Sequence, residues 1–389
     1  MTVPLRVAIV GAGAIGRVHA RVVSDSADLI VVAIVDSSSE AAMALVDEIT
    51  GWGHARPAVY GDLASSLSAE SLDLVAVCTP SGLHLDLANA AVEAGCHVVI
   101  EKPLDVSLSR ARSLLSTLDA LGASQPVVSV ISQHRFDEAS VIVKDFIESH
   151  RLGNLSSGLA SVSWWRSQGY YDSAGWRGTW AMDGGGALMN QGIHTLDLLV
   201  WFMGHPVTVQ ATTALVSHRA IEIEDVAAAT ITFASGSVGL VHATTAAYPG
   251  LGTRLQVMGD EGSAIIEDDV LTYVHSKGLG QEAGSMGIDG DSNQIAEYRD
   301  LAQAGTHLDP TMSAAGHARQ YANVVSAIRG EAPLGLTVLD AVRALATVHA
   351  IYVSAQLGLP VAFDDVMAGK FDDLDLTVPL KKKSHAPAE

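Results

Sequence analysis

The sequence predicts a chain of two domains. The first is an α/β domain over residues 1–132, a doubly wound parallel sheet. The second is an α+β domain over residues 133–370 with an open, mostly antiparallel sheet. Three observations predict this. In the first third, short apolar runs alternate with stretches of helical spacing, as expected of parallel strands covered by helices on both faces. Beyond residue 150, strand-like segments are joined by short turns. A length of 389 residues, 48% hydrophobic and 17% charged, suffices for two cores.

The elements follow in order. Val7 to Val10 is an apolar run that stops at Gly11. Gly11-Ala12-Gly13-Ala14-Ile15-Gly16 then opens a helical stretch through Val18, Val22 and Val23. Further strands are expected at Leu29 to Val35, Leu72 to Val77, His97 to Ile100 and Val127 to Ile131. Leu108, Ala111, Leu114, Leu115 and Leu118 recur at helical spacing. In the second half, strands are expected at Ser156 to Trp165, Val207 to Val216, Val226 to Phe233, Val238 to Thr245 and Thr253 to Met258. Ala234-Ser235-Gly236-Ser237 reads as a hairpin turn, and Gly259-Asp260-Glu261-Gly262 as another. A helix is expected over Ala187 to Phe202, and a last helical region over about 313–356 should pack back on the first domain. Gly278 to Asp309 reads as a long polar loop or a partner-contacting excursion. Residues 371–389 lose the pattern and read as a frayed tail.

The formal net charge of -20 repels a nucleic-acid duplex or an anionic membrane, so neither is an expected partner. Two cysteines, Cys78 and Cys96, offer no disulfide framework and fit a reducing cytoplasm. The start lacks a basic region followed by a long apolar stretch, so no signal peptide is read. The apolar runs fall short of the roughly 18 residues that a membrane span needs. The expectation is a soluble cytoplasmic protein.

Gly11 permits a tight turn, Gly13 lets the backbone approach a pyrophosphate, and Gly16 lets the helix sit close on the strand. The N–H groups at the helix start then bind the diphosphate. Such a glycine pattern alone is weak evidence. Here it follows a strand and opens a helix, and Asp36 ends the second strand twenty residues after Gly16. A carboxylate there accepts from a ribose 2'-hydroxyl and repels a 2'-phosphate. Ser37, Ser38 and Ser39 follow it, with no arginine or lysine, so NAD is favoured over NADP. The domain reads as a Rossmann domain.

Glu101-Lys102-Pro103 stands at the carboxyl end of an expected buried strand, the edge where ligands bind in open parallel sheets. Its ordinary reading is a solvated strand cap, and the proline allows a cis or rigid turn there. Thr79-Pro80 with His84 lies at the neighbouring edge and reads equally as a proline turn capping a helix. Gly184-Gly185-Gly186 leads into Asn190, His194 and Asp197, spaced i, i+4 and i+7. On an α-helix at roughly 100° per residue they share one stripe. That stripe suits an active site, a buried hydrogen-bond network or a metal site. No second histidine or cysteine stands at ligand spacing, which argues against a metal. Trp164, Trp165, Arg166, Tyr170, Tyr171, Trp176, Arg177 and Trp180 crowd a chain that is only 5% aromatic. They suit a sugar or sugar-acid site, or a subunit interface.

Together these motifs resemble the glucose-fructose oxidoreductase, inositol dehydrogenase and MocA family, from Val7 to about Val361. The resemblance implies NAD(P)-dependent oxidation of sugars, polyols and their derivatives, with Lys102 and His194 beside the nicotinamide and the substrate. It also implies a homodimer or homotetramer built through the second-domain sheet. One departure stands out: many members carry aspartate four residues before the histidine, where this chain has Asn190. That leaves Asp197 as the nearer carboxylate in sequence.

The expected catalytic residues are Lys102 and His194, either of which can serve as the base. The expected substrate-binding residues are Asn190, Asp197, Trp176, Arg177, Tyr170 and Arg166. The expected cofactor-binding set is Gly11, Gly13, Ala14, Ile15, Gly16, Asp36, Ser37, Thr79, Pro80, His84, Glu101, Lys102 and Gln133, and no metal site is expected. The expected reaction is hydride transfer from a secondary hydroxyl of a sugar, anhydrosugar, polyol or sugar acid to NAD. Two rivals are a glycosidase or lyase that uses NAD transiently, and a non-catalytic sugar sensor on the same fold.

Overall fold

The computed structural model describes residues 3–277, 284, 285, 287, 292–298 and 314–377. In chain order the strands are β1 (Leu5–Val10), β2 (Leu29–Val35), β3 (Ala58–Tyr60), β4 (Leu74–Val77), β5 (His97–Ile100), β6 (Val128–Val130), β7 (Leu155–Ser163), β8 (Pro206–Ala214), β9 (Val226–Phe233), β10 (Val238–Thr244), β11 (Gly252–Gly259), β12 (Gly262–Glu267), β13 (Val270–Ser276) and β14 (Val361–Ala362). The helices are α1 (Ala14–Asp25), α2 (Ser39–Gly51), α3 (Leu63–Ala69), α4 (His84–Glu93), α5 (Leu108–Leu121), α6 (Glu138–Glu148), α7 (Gln168–Asp172), α8 (Ile193–Met203), α9 (Ala314–Ile328), α10 (Val338–Leu357) and α11 (Phe363–Met367). The chain forms two compact units. One comprises Met1–Val143 with Asp300–Arg343, the other Lys144–Arg299 with Ala344–Glu389.

In the first unit the strands run in the order β3-β2-β1-β4-β5-β6, and every pair is parallel. Strand order reverses between β1 and β4, the place where open α/β sheets bind ligands beyond their carboxyl ends. The central strands are apolar along their length because helices cover both faces. On one face Val7, Ile9, Ile34 and Leu74 pack with Ala20 and Val23 of α1, Leu45 and Ile49 of α2, and Tyr321 and Val324 of α9. The Gln320 carboxamide fastens α9 to the sheet. It donates to the Val130 carbonyl (2.7 Å) and the Ser129 hydroxyl (3.2 Å) and accepts from the Ser132 amide (3.1 Å).

The second unit holds an eight-stranded sheet in the order β13-β12-β11-β7-β10-β9-β8-β14. Only the β7–β10 pair is parallel. Alternation sorts its faces: on β9, Ala227, Ala229, Ile231 and Phe233 point inward while Ala228, Thr230 and Thr232 are exposed. Helix α8 lies on the inner face. Gly158 of β7 makes room for it, since a Cβ there would stand 2.7 Å from Leu199 and 3.1 Å from Met203. The β9–β10 turn is the hairpin expected at Ala234–Ser237, with Gly236 at φ 86°.

Several expectations are corrected. Beyond Met258 two further strands, β12 and β13, extend the sheet; their burial alternates only weakly because β13 is an edge strand. The short edge strands β3 and β14 went unread for the same reason. The last helical region divides in two: α9 belongs with the first sheet, but from Ala344 onward α10 belongs to the second unit. There Tyr352 donates to Glu224 and the Ser354 hydroxyl accepts from the Ala211 amide. Among the described residues, α10 is long and apolar enough to cross a membrane. It carries Asp340 and Arg343, and 67% of its most apolar window is buried, the character of a core helix. The expected loop from Gly278 to Asp309 lies largely outside the described residues, as does the tail from 378.

Candidate active site

The glycine turn divides into glycines that the chain needs and one that it does not. Gly11 adopts φ 101°, and a Cβ on it would lie 2.6 Å from the Cys78 carbonyl oxygen. A Cβ on Gly16 would lie 1.8 Å from the Gly11 oxygen, so α1 presses directly on the turn. A Cβ on Gly13 would meet nothing within 4 Å. The space beside Gly13 is therefore open. Gly13 caps α1 without a side-chain hydrogen bond, and the first turn of α1 holds no acidic residue. The amides at Ala14 and Ile15 therefore stand at a helix start that nothing in α1 neutralises, the setting for an anionic group. Asp36 closes β2 and accepts from the Ala12 amide (2.7 Å) and the Ser38 amide (2.8 Å), holding the turn against the second strand. Ser37 beside it is exposed. These residues fit the diphosphate and ribose of a dinucleotide.

The next edge is built from β4 and β5. His84 is buried, and both ring nitrogens lie 2.8 Å from carbonyl oxygens, those of Pro103 and Thr79. Burial lowers its pKa, against the pull of those two carbonyls. The ring ties the Thr79-Pro80 turn to the Lys102-Pro103 turn. The Lys102-Pro103 peptide is cis. Glu101 is buried and faces inward, accepting from His19 (2.8 Å), with His317 3.5 Å away. Its other oxygen accepts from the Lys102 amide (3.0 Å). Burial pushes its carboxyl up, but the two histidines outweigh that and hold it well below the usual carboxylate range. His19 in turn meets the Tyr321 hydroxyl at 2.7 Å. The sequence reading missed this cluster because α1, β5 and α9 bring its members together from hundreds of residues apart. The ligand atoms of His19, Glu101 and His317 lie within 4.8 Å of one another. Lys102 is half-buried between buried neighbours, and Gln133 is buried just beyond β6.

In the second unit, Glu224 organises the glycine run. Its carboxyl accepts from the amides of Gly186 (2.8 Å) and Leu188 (2.9 Å) and from the Tyr352 hydroxyl (3.0 Å), while its carbonyl accepts from the Ala187 amide (3.0 Å). A Cβ on Gly186 would lie 1.7 Å from that carbonyl oxygen. Burial raises the Glu224 carboxyl to about 7 against the pull of these donors. The segment it grips, Ala187–Gly192, is a π-helical turn, and α8 begins only at Ile193. The expected α-helical stripe through Asn190 is therefore corrected, because a π turn is wider than an α turn. One observation is unaffected by that change: from Asp183 to Val200 every residue is buried except Asn190 and His194. Asp197 is buried on α8. Asn190 donates from Nδ2 to Asp183 (3.1 Å), a buried carboxylate that also accepts from the Gly178 amide (2.6 Å). The carboxylate touching Asn190 is thus Asp183, seven residues earlier, and the sequence reading did not single it out.

The aromatic stretch gathers as well. Arg166 lies over Trp164 (5.0 Å) and Tyr170 (5.3 Å), and Arg177 over Tyr170 (4.3 Å) and Trp176 (4.6 Å). Gln191 Nε2 lies 3.5 Å from the Tyr170 hydroxyl, joining this cluster to the π turn.

Two family models match the chain. One, described as the oxidoreductase family with an NAD-binding Rossmann fold, spans residues 5–128; the other, the GFO/IDH/MocA C-terminal domain, spans residues 141–265. The chain belongs to the Gfo/Idh/MocA oxidoreductase family. Its first unit is the NAD-binding domain. D-glucoside 3-dehydrogenase of Escherichia coli (strain K12) is 34% identical over 207 residues, 52% of this chain and 55% of the relative, so the chain spans about half of that protein's length. Inositol 2-dehydrogenase of Rhizobium meliloti (strain 1021) is 28% identical over 272 residues, 68% of this chain and 76% of the relative. The crystal structure of the WlbA dehydrogenase from Bordetella pertussis with NADH and UDP-GlcNAcA is similar with a TM-score of 0.76 at 27% identity, covering 92% of this chain and 99% of that one.

In this Gfo/Idh/MocA member the folded pKa of Glu224, about 7, lies above the ordinary 4.5. Its proton therefore contributes stability that is full below 4.5 and is lost as pH rises through about 7. Glu224→Gln cannot titrate, so wild type should lose melting temperature relative to this variant across that window. A gap between the two melts that stays constant over the same range would contradict the assignment.

Proposed function

We propose that this chain is an NAD-dependent dehydrogenase that oxidises a secondary hydroxyl of a sugar, anhydrosugar, polyol or sugar acid. The observation that carries the reading is the isolated accessibility of Asn190 and His194 within an otherwise buried segment. It occurs in a chain whose other unit is an NAD-binding domain. The relatives named for glucoside and inositol oxidation support the class of substrate.

Gly11, Gly13, Ala14, Ile15 and Gly16 hold the diphosphate, and Asp36 with Ser37 holds the adenosine ribose. The Asp36 carboxylate repels a 2'-phosphate, which favours NAD over NADP. Thr79, Pro80 and Gln133 line the same carboxyl edge of the sheet. NAD, when bound, supplies the hydride acceptor. His194 takes the hydroxyl proton: an imidazole nitrogen can accept it, and a base must stand within about 3 Å of the hydroxyl oxygen. Lys102 donates to the developing alkoxide and stabilises its charge. Asn190 cannot take a proton. Its Nδ2 donates to Asp183, which fixes the orientation of its amide beside the substrate.

A second copy of the chain packs on the open face of the eight-stranded sheet, where Val238 (42%) and Leu240 (49%) stand exposed. Sedimentation should show a dimer or tetramer that Leu240→Lys breaks down; a wild-type monomer would contradict this. For the chemistry, His194→Ala should lower kcat by roughly 10²- to 10⁴-fold while NAD binding persists. Undiminished turnover in that variant removes His194 from its role, and product formed without net NADH contradicts the dehydrogenase reading.

A further inference from the structure

We propose that the substrate carries a carboxylate, gripped by Arg177 and Arg166 beside Tyr170; the inference rests on the dehydrogenase reading and narrows it to sugar acids.

The chain carries 43 acidic against 23 basic side chains, so a guanidinium seldom lacks a partner. Arg6 pairs with Glu70, Arg17 with Glu48, Arg21 with Asp25 and Arg56 with Asp47. Among the described residues Arg166 and Arg177 pair with no carboxylate. The acids near them in sequence are turned elsewhere. Asp172 accepts from Gln168, and Asp183 accepts from the Gly178 amide and Asn190. Glu222 accepts from the Trp180 amide. Asp225 takes the amides of Val216, Ser217 and His218 as well as the His218 ring. Two like charges thus gather round one phenol ring, and nothing in this unit's described residues neutralises them. The rings beneath supply cation–π attraction but no counter-charge.

The hydrogen-bonding atoms point the same way. Arg177 Nε is buried and has no partner among the described residues. The edge of a guanidinium that includes Nε matches the two oxygens of a carboxylate, a match that a lysine ammonium cannot reproduce. Gln191 is 6% exposed, and its Oε1 is likewise buried without a partner. Leaving such groups unsatisfied is costly unless a ligand completes them. A sugar acid offers both complements: a carboxylate for the Arg177 donors and hydroxyls for the Gln191 acceptor. Gln191 shares the π turn with Asn190 and precedes His194 by three residues. A carboxylate held at Arg177 therefore places the rest of the sugar toward the segment that carries the proposed base. A phosphate would engage the same guanidiniums, and the test separates the two.

The experiment compares a neutral aldose, the uronic acid of the same configuration and its 6-phosphate, each with saturating NAD. kcat/KM and the quenching of tryptophan fluorescence on binding are both read. Wild type should favour the uronic acid over the neutral sugar by about 10- to 100-fold, and added salt should erode that preference. Arg177→Met should carry the ratio toward unity through KM, and Arg177→Lys should retain part of it. A neutral sugar used as well as its acid, or a ratio untouched by Arg177→Met, overturns the proposal. Preference for the 6-phosphate overturns the carboxylate assignment. If none of the three is oxidised although NAD binds, the dehydrogenase reading fails on this series. The fluorescence titration then decides alone: quenching by the uronic acid and not by the neutral sugar sustains the anion site, and equal or absent quenching removes it.

Discussion

Everything in the first unit depends on how closely two pieces of backbone approach. The Gly11 carbonyl lies where a Cβ on Gly16 would have to be, 1.8 Å away. That contact lets α1 start directly above the end of β1, so its uncapped amides open at the reversal point of the sheet. The second unit uses the same device at Gly186, whose missing Cβ admits the Glu224 carbonyl. The outcomes are opposite. At α1 no side chain caps the helix start, which remains available to an anion from outside. At the π turn the chain supplies its own acid, and the amides of Gly186 and Leu188 are already taken. The first glycine turn leaves its amides open, whereas the second holds the segment that follows it.

In both units the residues proposed for chemistry emerge from buried surroundings. Lys102 lies between Glu101 and Pro103, both buried, and its amide is held by the Glu101 carboxyl. Asn190 and His194 emerge from a segment otherwise wholly buried. Burial of the neighbours limits the rotamers and backbone positions open to each functional side chain, which is what a positioned acid or base requires. The buried acids are the means of that positioning. Glu101 stays ionised between His19 and His317, Asp183 orients the Asn190 amide, and Glu224 anchors the π turn.

The sheet of the first unit was legible because parallel strands beneath helices are continuous apolar runs. Leu29–Val35 and His97–Ile100 were placed to the residue. The inner strands of the second sheet were legible from alternation, as on β9, while β12 and β13 blur that signal toward the edge. The local part of the proposed site, namely the glycine turn, Asp36, Lys102 and His194, could be read from chemistry and spacing in the sequence. The rest was illegible where tertiary contacts decide. The π turn exists because Glu224, from a different part of the chain, bonds Gly186 and Leu188, and no local spacing announces that. Likewise the hydrogen bonds that His84 and Glu101 make within the protein depend on partners that sequence spacing does not announce.

If the open space beside Gly13 takes a dinucleotide, filling it should cost binding and not the fold. Calorimetric titration of wild type and Gly13→Val with NAD and NADP, alongside their thermal melts, decides this. Gly13→Val should stay folded, because its Cβ would meet nothing within 4 Å, yet lose NAD binding. Wild type should also bind NAD more tightly than NADP by about tenfold or more, because Asp36 repels the 2'-phosphate. Unchanged NAD affinity in Gly13→Val, with the fold intact, would contradict a dinucleotide site at Gly13.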